Sequence, residues 1–146
     1  MRPKVLIRIA AILMLLHTVG HSLGALSWKQ APNAAVAQVI SGMENNHFGF
    51  MGRNASIALF YNGYGISMIF VLLLISAQLW LLSADDGHKD SAKMLISLTV
   101  FLLALSVTEY IYFFTFAAAV SFISGICTLL ALSAGVKQNR LRTINS

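Results

Sequence analysis

The chain has 146 residues, of which 58% are hydrophobic and only 10% charged. Soluble domains carry about 25% charged residues, so this composition excludes a water-soluble globular domain and predicts a single membrane domain over residues 1–146. The net charge of +5 lies mainly at the chain ends and in one connection, which bears on membrane topology and does not indicate nucleic-acid binding. The single cysteine excludes a disulfide, or a dithiol redox mechanism, within one chain.

The first apolar run, residues 4–26, is predicted to be a transmembrane helix. It also has the basic start of a signal peptide, but it is long enough to span a bilayer and contains two histidines. His17 and His21 lie one above the other on a helix, with Gly20 and Gly24 on nearly the same face. Because imidazoles are costly in hydrocarbon, we expect this face to pack against protein, so that leucine at either glycine damages folding.

Residues 27–54 form the longest polar connection, which we predict to be an ordered outer loop over the mouth of the bundle. Asn33 can cap a short helix that Gly42 would end. The rest of the loop interleaves hydrogen-bonding groups with large apolar side chains, which a passive loop does not need. The residues concerned are Glu44, His47, Phe48, Phe50, Met51 and Arg53.

Three more helices are predicted, at residues 55–83, 92–110 and 115–136. The apolar run that begins at residue 92 is roughly twice as long as a hydrocarbon core requires, so it must contain two spans joined by a tight turn. The last helix carries a stripe of small residues suited to close packing, namely Ala117, Ser121, Ser124, Gly125 and Thr128. The predicted fold is an all-α integral membrane four-helix bundle.

The distribution of basic residues predicts the topology. The loop between the first two helices has two of them, Lys29 and Arg53, and the other side has eight: Arg2, Lys4, Arg8, Lys89, Lys93, Lys137, Arg140 and Arg142. By the positive-inside rule both termini are cytoplasmic and the loop faces outward. A bacterial inner membrane is the expected location.

Three helices place a polar residue at a similar depth. At a rise of 1.5 Å per residue, His17 and Glu109 each lie about 20 Å from the cytoplasmic side. Asn62 lies about 10 Å from the outer side. In a hydrocarbon core about 30 Å thick, these two depths are the same level. We therefore predict one polar pocket that opens outward.

Such a pocket favours acid–base chemistry on a lipophilic small molecule or lipid that enters from the membrane, such as isomerisation, cyclisation or hydrolysis. His17 or His21 would be the base, and Glu109 its partner or the acid. The substrate would be held by Glu44, His47, Arg53, Asn62, Tyr61 and Tyr64.

Other interpretations of these residues stay open. No cofactor is needed for the acid–base chemistry, but His17, His21, His47 and Glu44 could bind zinc, and His21 with His47 could bind haem. A non-enzymatic bundle that binds a lipid, a quinone or a protein partner is a further alternative, with the polar residues joining helices. The small-residue stripes would also serve a homo-oligomer.

Three motifs carry a resemblance to a known family: His-Thr-x-Gly-His-x-x-Gly from His17, Phe-x-x-x-Gly-Arg from Phe48, and Phe-Tyr-x-Gly-Tyr-Gly from Phe60. They resemble those of an uncharacterised family of small bacterial four-helix membrane proteins, DoxX-like in size and layout. The resemblance implies four helices across the whole chain and specifies no reaction.

Overall fold

The computed structural model describes residues 2–84 and 89–144, with side chains described for 2–84 and 90–135. The basic residues Lys89, Lys137, Arg140 and Arg142 of the topology argument therefore lie outside the described side chains. In chain order the elements are α1 (Pro3–Ser27), α2 (Ala34–Asn45), β1 (His47–Phe50), β2 (Arg53–Ser56), α3 (Ile57–Ala84), α4 (Lys89–Tyr112) and α5 (Thr115–Ile144).

The prediction of a mostly helical fold with four long apolar helices is confirmed. Over the described part of the chain, four helices are long and apolar enough to cross a membrane: Pro3–Ser27, Ile57–Ala84, Asp90–Tyr112 and Thr115–Gly135. Each is apolar around much of its circumference, and many large apolar side chains on all four are exposed.

The chain divides into two compact units. The first unit comprises Met1–His17 and Leu72–Ser146, and the second comprises Thr18–Val71. Helices α1 and α3 each contribute one end to the first unit and the other end to the second, while α4 and α5 belong to the first unit alone.

In the first unit, the start of α1 lies beside the end of α3. The Arg8 Nε donates to Ser83 Oγ at 3.4 Å, and the guanidinium lies 5.7 Å from the ring centroid of Trp80. One turn beyond Arg8, Ser76 Oγ donates to the carbonyl oxygen of Ala11 at 2.8 Å. These contacts fix α1 and α3 as antiparallel neighbours in this unit.

Helices α4 and α5 form a closely packed antiparallel pair. A Cβ added to Gly125 would lie 2.8 Å from Leu103 Cδ2, so the glycine is what allows the two backbones to approach. Buried Thr99 and Thr128 hydrogen bond to each other through their hydroxyls at 2.8 Å. Two members of the small-residue stripe predicted on the last helix, Gly125 and Thr128, therefore lie at this interface.

In the second unit, α2 begins as predicted and ends later than predicted. The Asn33 side chain accepts from Val36 N at 2.9 Å, which satisfies one of the free N–H groups of the first turn. Gly42 does not end the helix, which continues to Asn45. The end is instead fixed by Asn46, whose backbone N–H and side chain both donate to Gly42 O.

After α2, the connection to α3 contains a β-hairpin that the sequence had not predicted. Strands β1 and β2 pair antiparallel, with His47 opposite Ser56 and Phe50 opposite Arg53. Both residues of the connecting turn have positive φ, 47° at Met51 and 80° at Gly52, as in a type I′ hairpin turn. Methionine in the first turn position is not the usual sequence signal, which is asparagine, aspartate or glycine.

The expectation that Gly20 and Gly24 pack closely against protein is wrong for the described residues. A Cβ added at either position would meet no atom within 4 Å there. The close approach of α1 to α3 occurs at Gly65 instead, where an added Cβ would lie 3.2 Å from Ala25 Cβ. The sequence pattern identified the small residues but not the side of the helix on which α3 packs.

Candidate functional site

Three polar side chains from three helices meet in the first unit. His17 of α1 places Nε2 3.3 Å from Glu109 Oε1 of α4. The opposite ring nitrogen, Nδ1, lies 3.3 Å from Ser121 Oγ of α5. His17 is 8% exposed, Glu109 5% and Ser121 0%, so these residues form a buried polar cluster. We call His17, Glu109 and Ser121 the polar cluster.

The fold positions the cluster through the turn between α4 and α5. Glu109 lies in the last turn of α4, where its carbonyl oxygen accepts from Phe113 N at 2.9 Å. The chain reverses and begins α5 at Thr115, which brings Ser121 back to the level of Glu109. Ala117 and Ala118, in the same part of α5, are also buried.

The tautomer of the imidazole follows from the charge of Glu109. When Glu109 is ionised, its oxygens only accept, so His17 Nε2–H donates to Glu109. In the neutral ring this leaves Nδ1 as the acceptor for the Ser121 hydroxyl. Both ring nitrogens therefore have a hydrogen-bond partner. The contact with Ser121 fixes the orientation of the imidazole ring, with Nε2 directed at the Glu109 carboxylate.

The second carboxylate oxygen of Glu109 is not paired. Oε2 is buried and has no hydrogen-bond partner among the described residues. A buried polar atom that is left unpaired typically costs about 1–3 kcal/mol. This atom is therefore the one point in the cluster where a hydrogen-bond donor from outside the protein would be strongly favoured.

His21, predicted to share this site, makes its described contact in the second unit. Its Nε2–H donates to the carbonyl oxygen of Gly65 at 3.1 Å, next to the close approach of α1 and α3. Tyr61, Asn62 and Tyr64 are exposed on α3 of the same unit. The Tyr61 ring packs against Trp28, with centroids 4.9 Å apart.

The predicted outer-wall residues are distributed over α2 and the hairpin. Glu44 forms an ion pair with Lys29, whose ammonium also lies 5.6 Å from the Trp28 ring centroid. The counter-charge of Glu44 is therefore Lys29. His47 and Arg53 are exposed at opposite ends of the hairpin.

The residues proposed as metal ligands do not form a metal site in the described part of the chain. No group of three or more His, Cys, Asp or Glu side chains there is arranged to hold a metal ion. His17 uses both ring nitrogens, His21 uses Nε2, and Glu44 is paired with a lysine. These residues do not fit zinc, and His21 as bonded does not fit haem through Nε2.

Ser121 is the member of the cluster that the sequence did not single out. It appeared only as one of several small residues on the last helix, where serine and alanine serve packing equally well. Glu109 lies three residues before the end of α4 and Ser121 lies six residues after the start of α5, so distance from the turn gave only a weak signal.

Comparisons of this chain with family models, with curated proteins and with solved structures give no match.

Proposed function

We propose that this chain is an integral membrane protein whose polar cluster exchanges a proton with a lipophilic small molecule. The observation that carries the proposal is Glu109 Oε2, a buried acceptor with no partner among the described residues, on a carboxylate already bonded to an imidazole. A bound molecule with an O–H or N–H group would satisfy this atom. An apolar body on that molecule would suit the surrounding apolar side chains.

The membrane location is supported by four spanning-length helices and by their exposed apolar side chains, among them Leu16, Phe70, Leu74 and Val100. In water these side chains would form an apolar surface far larger than soluble monomers expose. The bias of lysine and arginine favours cytoplasmic termini. In that orientation His17 lies in the outer half of the bilayer, and a bacterial inner membrane fits the composition.

In the proposed chemistry, each residue of the cluster has one role. Glu109 contacts the ligand through Oε2 and accepts its hydrogen bond or its proton. His17 donates its Nε2–H to Oε1 and so stabilises the carboxylate, which takes the ligand's proton at Oε2 and returns it to another atom of the same ligand. Ser121 is a positioning residue that fixes the ring. Isomerisation, cyclisation and hydrolysis of a lipophilic substrate all need such a proton exchange at one atom.

Binding without reaction is the second candidate function, and the burial of the cluster favours it. Ser121 has no exposed surface and His17 and Glu109 have little, as expected of a site that holds a lipid or quinol hydroxyl without turnover. The layout shared with DoxX-like proteins stays a prediction and fits either candidate.

The test is whether a lipophilic compound co-purifies through Glu109. The chain is purified in mild detergent as wild type, Glu109→Gln and Thr99→Val, and the organic extract of each is analysed by mass spectrometry. Thr99→Val is the control, because it disrupts another buried polar contact of α4, the helix that carries Glu109, without touching the cluster. We expect a compound shared by wild type and Thr99→Val and depleted in Glu109→Gln. Equal amounts in all three samples would contradict the proposal.

If a compound is found, incubating it with each variant distinguishes the two candidates. Conversion by wild type and Thr99→Val, but not by His17→Asn, supports acid–base catalysis. Recovery of the unchanged compound from wild type supports binding alone.

A further inference from the structure

The β-hairpin of the second unit has one apolar face and one polar face. Cross-strand partners in an antiparallel pair project to the same side, so Phe48 with Ala55 and Phe50 with Arg53 form one face. The other face carries His47 with Ser56 and Gly49 with Asn54, so its side chains are all polar. This division makes the hairpin amphipathic.

The apolar face packs on the beginning of α3. Phe50 lies edge-on to Phe60, with ring centroids 5.3 Å apart, and Phe48 stacks on the same ring at 6.2 Å. Phe60 is in the first turn of α3, which starts directly after β2. The hairpin therefore folds back along the helix, and its tip lies level with the first turn of an apolar, spanning-length helix.

The tip is unsuited to water. Met51 is 91% exposed and adopts φ 47°, a left-handed conformation that favours glycine and asparagine. Methionine at this position therefore combines an unfavourable backbone conformation with an almost fully exposed apolar side chain. Phe50 beside it is half exposed.

We propose that the tip, Phe50 to Arg53, inserts into the outer interface of the bilayer. Met51 and the exposed edge of Phe50 then lie among the upper acyl chains, and the Arg53 guanidinium extends to the lipid phosphates. Lipid is the occupant that fits, because the tip is continuous with the exposed apolar first turn of α3, where Ile57 and Leu59 are each more than half exposed. The cation beside the apolar tip complements the phosphate layer. The inference rests on the membrane location proposed above.

The experiment places a single environment-sensitive fluorophore, NBD, at three positions in a Cys127→Ala background. Met51→Cys reports on the tip, and Asn54→Cys reports on the polar face of the same hairpin. Leu74→Cys reports on an exposed apolar site of α3. Each protein is reconstituted into vesicles of phosphatidylcholine and phosphatidylglycerol. Quenching is then compared between nitroxide-labelled lipids and aqueous iodide, and circular dichroism confirms that helix content matches the parent.

We expect the Met51 and Leu74 probes to emit at shorter wavelength, to be quenched by lipid nitroxides and to be shielded from iodide. The Asn54 probe should be quenched by iodide. A water-like Met51 probe beside a lipid-like Leu74 probe would overturn the insertion of the tip and leave the membrane location intact. Lipid-like signals at both Met51 and Asn54 would overturn the assignment of faces. A water-like Leu74 probe would overturn the membrane location itself, and the insertion with it.

Discussion

The contact between His17 and Glu109 contributes both to the stability of the fold and to the proposed proton exchange. Removing one member of a buried pair leaves the other unsatisfied, whereas removing both replaces the pair with apolar contacts. His17 and Glu109 are thus expected to depend on each other energetically even where neither binds a ligand. Hydrogen bonds between membrane helices average about 0.6 kcal/mol, so the coupling is measurable but not large.

A double-mutant cycle measures that coupling. We expect His17→Leu and Glu109→Leu each to lower the free energy of unfolding by about 1–3 kcal/mol. The double variant should be less destabilised than the sum of the two single variants, by about 0.6 kcal/mol. Reversible unfolding in mixed detergent and SDS provides the free energies. Strict additivity would show that the 3.3 Å contact contributes nothing to the folded state.

At the residue scale, depth along a helix was predictable and partners were not. Counting residues from the helix ends predicted to be cytoplasmic put His17 and Glu109 at one level, which agrees with their contact. Whether His17 or His21 faces α4 depends on the rotation of α1 about its own axis. That rotation is set by how α1 packs against the other helices, which the sequence pattern does not specify. Ser121 was not predicted as a site residue, because its hydroxyl becomes significant only when the His17 imidazole lies within hydrogen-bond distance.

Among the elements, the α4–α5 pair depends most closely on one glycine. A side chain at Gly125 would overlap Leu103 of α4, whereas one at Gly20 of α1 would meet no described atom within 4 Å. The two positions therefore form a matched test of which small residues set helix packing.

We predict that Gly125→Leu lowers the free energy of unfolding by about 1–3 kcal/mol, because overpacking forces Leu103 and the α5 backbone apart. Gly20→Leu should change it by less than about 1 kcal/mol, since leucine is also the better helix former. Thermal unfolding in detergent, followed by circular dichroism, compares the two. A greater loss for Gly20→Leu would show that this face of α1 is covered.

The helices were predictable as elements because an apolar run of spanning length has few other structures open to it. The hairpin was not predictable in the same way. Its turn is Met-Gly, and its strands of four residues each are too short to show a clear alternation of apolar and polar side chains. The end of α2 was misjudged for a related reason. Glycine is compatible with a helix interior, and the stop came from the side chain of Asn46.

For the whole molecule, the proposed topology predicts which segments a membrane-impermeant reagent reaches. In a Cys127→Ala background, Asn45→Cys on α2 should be labelled from outside intact cells. A fluorescent protein fused after Ser146 should fold in the cytoplasm, where the positive-inside rule places the C terminus. Labelling of position 45 only after the cells are opened, with an inactive fusion, would invert the topology.

The central claim is that Glu109 Oε2 binds a hydrogen-bond donor on a lipophilic ligand, and the most direct measurement is an experimental structure in lipid nanodiscs of the native membrane. The account predicts elongated non-protein density within hydrogen-bond distance of Oε2, about 2.5–3.2 Å, in wild type and its absence in Glu109→Gln. A protein side chain donating to Oε2, or a single water molecule with no further density, would contradict the account.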